Sequence, residues 1–423
     1  MKITIFTLGT RGDVQPFALL GGALQKKGHN VTLCTAKNFK NLVEGYGLNF
    51  HAVDTDYEEI LNSKEGRKIL QANLLAIQRN LKSLIFPLIE SSLTQFYHLA
   101  KSSDLIIYRP KTLVDVFVNQ IPVKAIRAAV IPAVEETSEF SNPMFSALNL
   151  PDFLNKWSYK LNKYRFKFFK KPINDFYLKN RLKDDLPDEI NNPFIYGISP
   201  SLLSKPDDWP ANHSLTGFWL PPSNSDLPVD ISEFIKSGEP PLLITFGSMP
   251  IKEELKTLII KAVKRVNHRF IIIKGWADWE TGELKDEKKF KIINTVPFED
   301  IFPFVKAVIH HGGIGTTAEC LRSGKPMFIC PITYPVGDQY FWGDLAYKKG
   351  IGIKPVALSK LKPKIFAEKI NELLVCKDLY QNAETLAERI KTEDGLSKAV
   401  DIIEAYCKAI PFTNLPIVTP MAS

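Results

Sequence analysis

From the first residue, short apolar and β-branched runs alternate with segments whose apolar residues recur every three or four positions. Residues 2–8, 30–35 and 48–53 read as strands, and 15–27 and 38–46 read as helices between them. This is the β-α-β-α-β order of a parallel, doubly wound sheet. A helical pattern from about Glu65 to Ser102 leads to the strand-like run 104–108, then to a short helix and a further strand near 123–128. The stretch 132–185, rich in aromatic and basic residues, reads as an insertion in this half.

The pattern then breaks at the Pro-rich polar run 221–226 and at the turn Gly238-Glu239-Pro240-Pro241, as at a domain boundary. A second alternation follows. Strands are predicted at 242–246, 269–273, 290–293, 307–309, 326–329 and 352–354, a helix at 252–266, and helical segments from about 359 to 410. Two α/β halves of about 200 residues each imply a cleft between them. Ligands of open parallel sheets bind at the carboxyl ends of the strands, so function is expected in the strand-to-helix loops facing that cleft.

Composition narrows the class. With 423 residues, 45% hydrophobic and 24% charged, the chain has material for two cores and no disordered character. Its apolar runs fall short of the roughly 20 residues that span a bilayer, and the N-terminus reads as a strand, not a signal peptide. Five scattered cysteines without C-x-x-C spacing encode neither a disulfide framework nor a zinc site, and suit a reducing cytoplasm. The net charge of +8 is local: residues 155–183 hold ten basic residues and one acid. There the spacing predicts one helix over 156–171, with Trp157, Leu161, Tyr164 and Phe168 on one face and a lysine stripe beside it. Two readings stand, a solvated surface helix or peripheral contact with an anionic membrane surface. No nucleic-acid-binding motif is present.

The most informative loop is His310-His311-Gly312-Gly313-Ile314-Gly315-Thr316-Thr317-Ala318-Glu319, after one strand and opening a helix. Glycines allow close approach, the helix start presents free N–H groups, and Thr316 and Thr317 add hydroxyls, which together make an anion site. After the next strand, Asp338 and Gln339 place a carboxylate and an amide side by side, a pair suited to sugar hydroxyls and equally able to cap a helix. Phe246-Gly247-Ser248 is a weaker third loop. In the first half, Gly9-Thr10-Arg11-Gly12-Asp13-Val14-Gln15-Pro16 joins strand to helix without G-x-G-x-x-G spacing. Asp13 there is either a general base facing the cleft or a helix N-cap.

Gly12-Asp13, Phe246-Gly247-Ser248, residues 310–317 and Gly337-Asp338-Gln339, in this order, resemble the sterol and glycopeptide-antibiotic branch of the nucleotide-sugar glycosyltransferases of GT-B fold. The resemblance implies two Rossmann-like doubly wound α/β domains facing a cleft: an acceptor domain over 1–220, a nucleotide-sugar domain over 221–395, and a final helix and tail, 396–423, crossing back. It implies an inverting, metal-independent hexosyltransferase using a UDP- or dTDP-sugar as co-substrate, with no resident cofactor. His311, helped by Gly313, Thr316, Thr317 and Ser248, would hold the diphosphate. Asp338 and Gln339 would bind the sugar, Trp276, Val296 and Glu319 would border the nucleoside, and Arg11 and Gly12 would border the acceptor. The setting of Asp13 favours the base. Phe298 departs from the branch, which commonly has His after Val-Pro. The expected acceptor is a lipophilic small molecule, and the expected assembly a monomer or homodimer. Two rivals remain open, a nucleotide-sugar epimerase of the same architecture and a non-catalytic sugar-nucleotide-binding protein.

Overall fold

The computed structural model describes residues 1–53, 74–160, 162, 164–184, 190–223, 227–247, 251–275, 284 and 286–409. Two parallel sheets organise them. The first contains β1 (Lys2–Phe6), β2 (Asn30–Ala36), β3 (Asn49–Val53), β4 (Leu105–Tyr108), β5 (Lys124–Ala129), β6 (Phe194–Tyr196) and β7 (His213–Leu215), in the order β3-β2-β1-β4-β5-β6-β7. The second contains β8 (Leu242–Thr245), β9 (Phe270–Ile273), β10 (Phe290–Ile293), β11 (Val308–His310), β12 (Met327–Ile329) and β13 (Gly352–Ile353), in the order β10-β9-β8-β11-β12-β13. The sequence reading finds every strand but β6 and β7, which are three residues each and owe their state to pairing, β6 with β5 and β7 with β6.

The register explains the near-continuous apolar runs. β1 pairs with β2 and β4, so it is covered on both edges, and Ile3, Ile5 and Phe6 are fully buried. A strand between two parallel neighbours, with helices on both faces, has no solvent side to mark with polar residues. In the second sheet β8 lies between β9 and β11, and Leu242, Leu243 and Ile244 are likewise buried. Strand order reverses between β1 and β4 in one sheet and between β8 and β11 in the other, and a crevice opens at such a reversal.

Helix α1 (Arg11–Lys26) begins four residues earlier than its periodicity predicts, so Gly12 and Asp13 sit in its first turn and not in a preceding loop. Thr10 is the N-cap and Asp13 occupies the third helical position, which replaces the expectation of Asp13 as N-cap. The helix predicted from Glu65 is described from Leu74 to Lys101, its expected start lying outside the described residues. The single basic helix predicted over 156–171 is three short ones: Asn155–Lys160, Tyr164–Phe168 and Lys170–Asn180. Its lysine stripe is therefore broken. Lys156 pairs with Asp208 at 3.1 Å and Lys171 with Asp175 at 2.6 Å, while Phe168 packs edge-on to Phe86 and Trp157 stands half exposed. Among the described residues no helix is long and apolar enough to cross a membrane.

The last described helix, α2 (Gly395–Ala409), leaves the second sheet and packs on α1. Lys124 of β5, almost fully buried, donates to the carbonyl of Cys407 at 2.6 Å, and His29 meets Glu404 at 3.2 Å. Where the chain enters α2 it passes against the segment that leaves β7. A Cβ on Gly395 would lie 2.5 Å from the carbonyl carbon of Gly217, so the two backbones touch where no side chain fits.

Candidate active site

The loops after β1 and β4 build one wall of the cleft. Asp13 reaches back from the first turn of α1 so that Oδ2 accepts the Thr10 N–H at 2.7 Å and the Thr10 hydroxyl at 3.2 Å. Gly9 makes this possible. Its φ is +139°, and a Cβ there would lie 2.0 Å from Asp13 Oδ2. The other carboxylate oxygen, Oδ1, accepts from the guanidinium of Arg109, which follows β4 directly and is 6% exposed. Lys111 Nζ stands 3.9 Å from Oδ2. Burial pushes the carboxyl upward, but Arg109, Lys111 and the Thr10 amide outweigh it and hold Asp13 well below the ordinary carboxylate range. Arg11 and Gly12 are exposed beside it, with Arg11 Nε donating to Gln15 at 2.9 Å.

The loop after β11, with Gly247 beside it, builds the facing wall. His310 ends β11, fully buried, and its Nδ1 accepts the Gly312 N–H at 3.1 Å, bracing the glycine turn from beneath. His311 projects from the turn into helix α3 (Ile314–Arg322), whose N-cap is Gly313. A Cβ on Gly313 would fall 2.5 Å from His311 Nε2, so only glycine lets the imidazole lie on the helix start. His311 Nδ1 is buried without a partner. A buried N–H without an acceptor is costlier than a bare acceptor, so the proton belongs on Nε2, beside the free amides of the first turn of α3. Burial lowers the His311 pKa to about 4 and takes His310 well below its ordinary value. His311 is thus a neutral N–H donor here, not a cation. Thr316 and Thr317 are buried in the same turn, and the Thr317 hydroxyl donates back to the Gly313 carbonyl at 3.0 Å, bracing the turn from within.

Helix α4 (Gln339–Lys348) carries the third group. Asp338 is its N-cap by backbone position, and Asp338 Oδ2 accepts the Trp342 indole N–H at 2.9 Å. Burial raises its pKa, the Asp13 charge pushes in the same direction, and the Trp342 bond and Lys111 oppose. The Asp13 and Lys111 fields reach Asp338 from the first sheet, so the two carboxylates share the cleft with a lysine near both. Gln339 is buried, and its Oε1 accepts the N–H groups of Ile332 and Thr333 at 2.7 and 3.0 Å, which pins the loop and leaves its NH₂ for other partners. The Gly337 N–H donates to Met144 in the insertion at 2.8 Å, and Phe341 packs on Phe140 with ring centroids 5.5 Å apart.

Two of the residues expected at the nucleoside edge are described. Val296 is buried in a hydrophobic core to which both halves contribute. Glu319 is buried too, with Arg322 at 3.1 and 2.7 Å on its two oxygens and Ser323 at 3.3 Å. Ser248 and Trp276 lie outside the described residues. Sequence reasoning missed Arg109 and Lys111. The signal was available, since both follow a fully apolar strand directly, where the other candidates were found.

The buried histidines give the fold a pH signature. His311 with a pKa of about 4, His213 with one of about 3, and His310 are neutral in the fold, whereas unfolded histidine titrates near 6.5. Below about pH 6.5 the unfolded chain binds protons that the fold refuses, so stability is full above that pH and is lost as pH falls toward 4. The smaller upward shifts of Glu319, Asp338 and Glu135 offset part of this. The expected result is a Tm that falls between pH 6.5 and 4.5 in differential scanning fluorimetry; a flat or rising Tm contradicts it.

Residues 3–128 match the family model described as the glycosyltransferase family 28 N-terminal domain. Over its full length the chain is 31% identical to a sterol 3-beta-glucosyltransferase of Arabidopsis thaliana, of which it spans 67%. The chain belongs to the GT-B glycosyltransferases. This glycosyltransferase is also 26% identical to the O-mycaminosyltylonolide 6-deoxyallosyltransferase of Streptomyces fradiae, over 98% of its own length and all of the relative. Its fold matches a Streptomyces sp. SF2575 glycosyltransferase, SsfS6, solved with thymidine diphosphate, at a TM-score of 0.61 and 18% identity, covering 96% of this chain and 99% of that one. The glycosyltransferase thus has the two facing parallel-sheet α/β units that its motifs imply.

Proposed function

We propose that this glycosyltransferase moves a hexose from a UDP- or dTDP-sugar to a hydroxyl of a lipophilic small molecule, with inversion and without metal. The observation that carries this is the pairing of two switch-point loops: a carboxylate at the reversal of one sheet, and a histidine on a glycine-capped helix start at the reversal of the other. Asp13 accepts the acceptor hydroxyl proton as that oxygen attacks C1. The C1–O bond to the diphosphate breaks on the opposite face, and the anomeric centre inverts. The His311 N–H and the first-turn amides of α3 stabilise the charge that develops on the leaving diphosphate, where a divalent ion would otherwise serve. Asp338 and the Gln339 NH₂ orient the sugar. The activities for which the relatives are named, on sterols and on O-mycaminosyltylonolide, support a lipophilic acceptor, and the thymidine diphosphate complex supports a nucleotide leaving group.

The test is mass spectrometry of UDP- and dTDP-sugars with sterol and macrolide acceptors, in excess EDTA. The expected result is an acceptor one hexose heavier, β-linked by NMR, with one nucleoside diphosphate released per transfer. Donor epimerised without acceptor, or donor bound and left intact with every acceptor, would sink the reading. Transfer lost in EDTA and restored by Mg²⁺ would remove its metal-free part.

A further inference from the structure

Resting on the transfer reading above, we propose that Arg109 is the positioning residue of Asp13, fixing both the orientation and the charge of that carboxylate at the cleft wall. Arg109 touches no reacting atom. Its backbone N–H is bonded to the Phe6 carbonyl at 3.1 Å, its guanidinium lies over the Phe17 ring at 5.8 Å, and the Thr112 hydroxyl closes the turn behind it at 2.6 Å on its carbonyl. The Arg109 backbone is therefore held by the sheet and by its own loop, and the guanidinium, packed on α1, delivers a donor to Asp13 Oδ1.

The consequence for Asp13 is geometric first. Thr10 engages Oδ2 and Arg109 engages Oδ1, so the carboxylate cannot rotate about its Cβ–Cγ bond without breaking both contacts. Oδ2 also accepts the Thr10 hydroxyl, so it is Oδ1 that keeps a second lone pair for an acceptor hydroxyl. The charges that face Asp13 are Arg109 and Lys111 from the loop after β4 and Asp338 from across the cleft, with the Thr10 amide from α1 itself. Lys111 is mostly exposed and solvent-screened, so Arg109 dominates. It opposes the desolvation of the carboxyl, and a carboxylate kept ionised in acid can still accept a proton from a hydroxyl there.

Five chains test this: wild type, Arg109→Met, Arg109→Lys, Asp13→Asn and the Asp13→Asn/Arg109→Met pair. By thermal unfolding, Arg109→Met alone should lower Tm more than the pair does, because the single change strands a desolvated carboxylate. In steady-state kinetics the acid limb of kcat/KM should move up by about one pH unit or more in Arg109→Met, with Arg109→Lys between it and wild type, because lysine keeps the charge and loses the fork. UDP or dTDP affinity should stay unchanged in both. Additive Tm effects, or a uniform loss of rate at every pH, would overturn the role. If Arg109→Met does not fold, Arg109→Lys still carries the kinetic arm, and a wild-type acid limb in that variant would overturn the role. A wild type that transfers to nothing would sink the transfer reading, while the Tm cycle would still decide whether Arg109 holds Asp13.

Discussion

Replacing His311 by alanine is expected to lower the rate of sugar transfer on the order of 10²–10³-fold, the usual loss when one donor to developing charge is removed. The size follows from where the proton sits. His311 Nδ1 is buried and unpartnered, so the donor is Nε2–H, fixed against the helix start by the glycine that replaces any side chain at 313. A neutral imidazole held there needs no reorganisation when the diphosphate begins to leave. Affinity for free UDP or dTDP should weaken as well, since the same N–H meets the product. Stopped-assay kinetics and calorimetric titration read the two effects separately, and unchanged values in both would take His311 out of the anion site.

Asp13→Asn should cost roughly 10²–10⁴-fold in transfer, the worth of a general base, while sparing nucleotide binding in the facing half. Asparagine can still accept the Thr10 N–H at the third helical position, so the local turn survives. What it cannot do is neutralise Arg109, which is 6% exposed, so a lowered Tm should accompany the loss of rate. Folded protein that binds nucleotide and does not transfer is the expected outcome. Full turnover in the asparagine variant would leave Asp13 a role in packing and ion pairing alone.

Much of this was legible in the chain because parallel sheets write themselves plainly. A strand buried on both faces must be apolar throughout, and the loop that follows must carry whatever chemistry there is, which is how residues 310–317 and Asp338 were found. The errors have a common cause in contacts distant along the chain. β6 and β7 are three-residue strands whose partners lie far away in sequence, as in Arg127 against Phe194 and Phe194 against His213, and nothing local distinguishes them from loop. The basic stretch 156–171 has helical period, yet it divides where its side chains meet different neighbours, Asp208 near one end and Phe86 near the other. Arg109 escaped notice because its meaning lies in Asp13, 96 positions away.

The touching backbones of Gly217 and Gly395 have a mechanical meaning. The polypeptide passes between the lobes twice, and both passages run side by side at one margin of the cleft, like two pins on a single door post. Two adjacent pivots suppress sliding and twisting and leave rotation about the line through them, so the lobes should open by swinging. At the other margin, among the described residues, an amide-to-carbonyl bond runs from Gly337 to Met144 and Phe140 packs on Phe341. Opening the door at this margin therefore parts the insertion from the loop that carries Asp338. Entry into the cleft and access to Asp338 become the same movement.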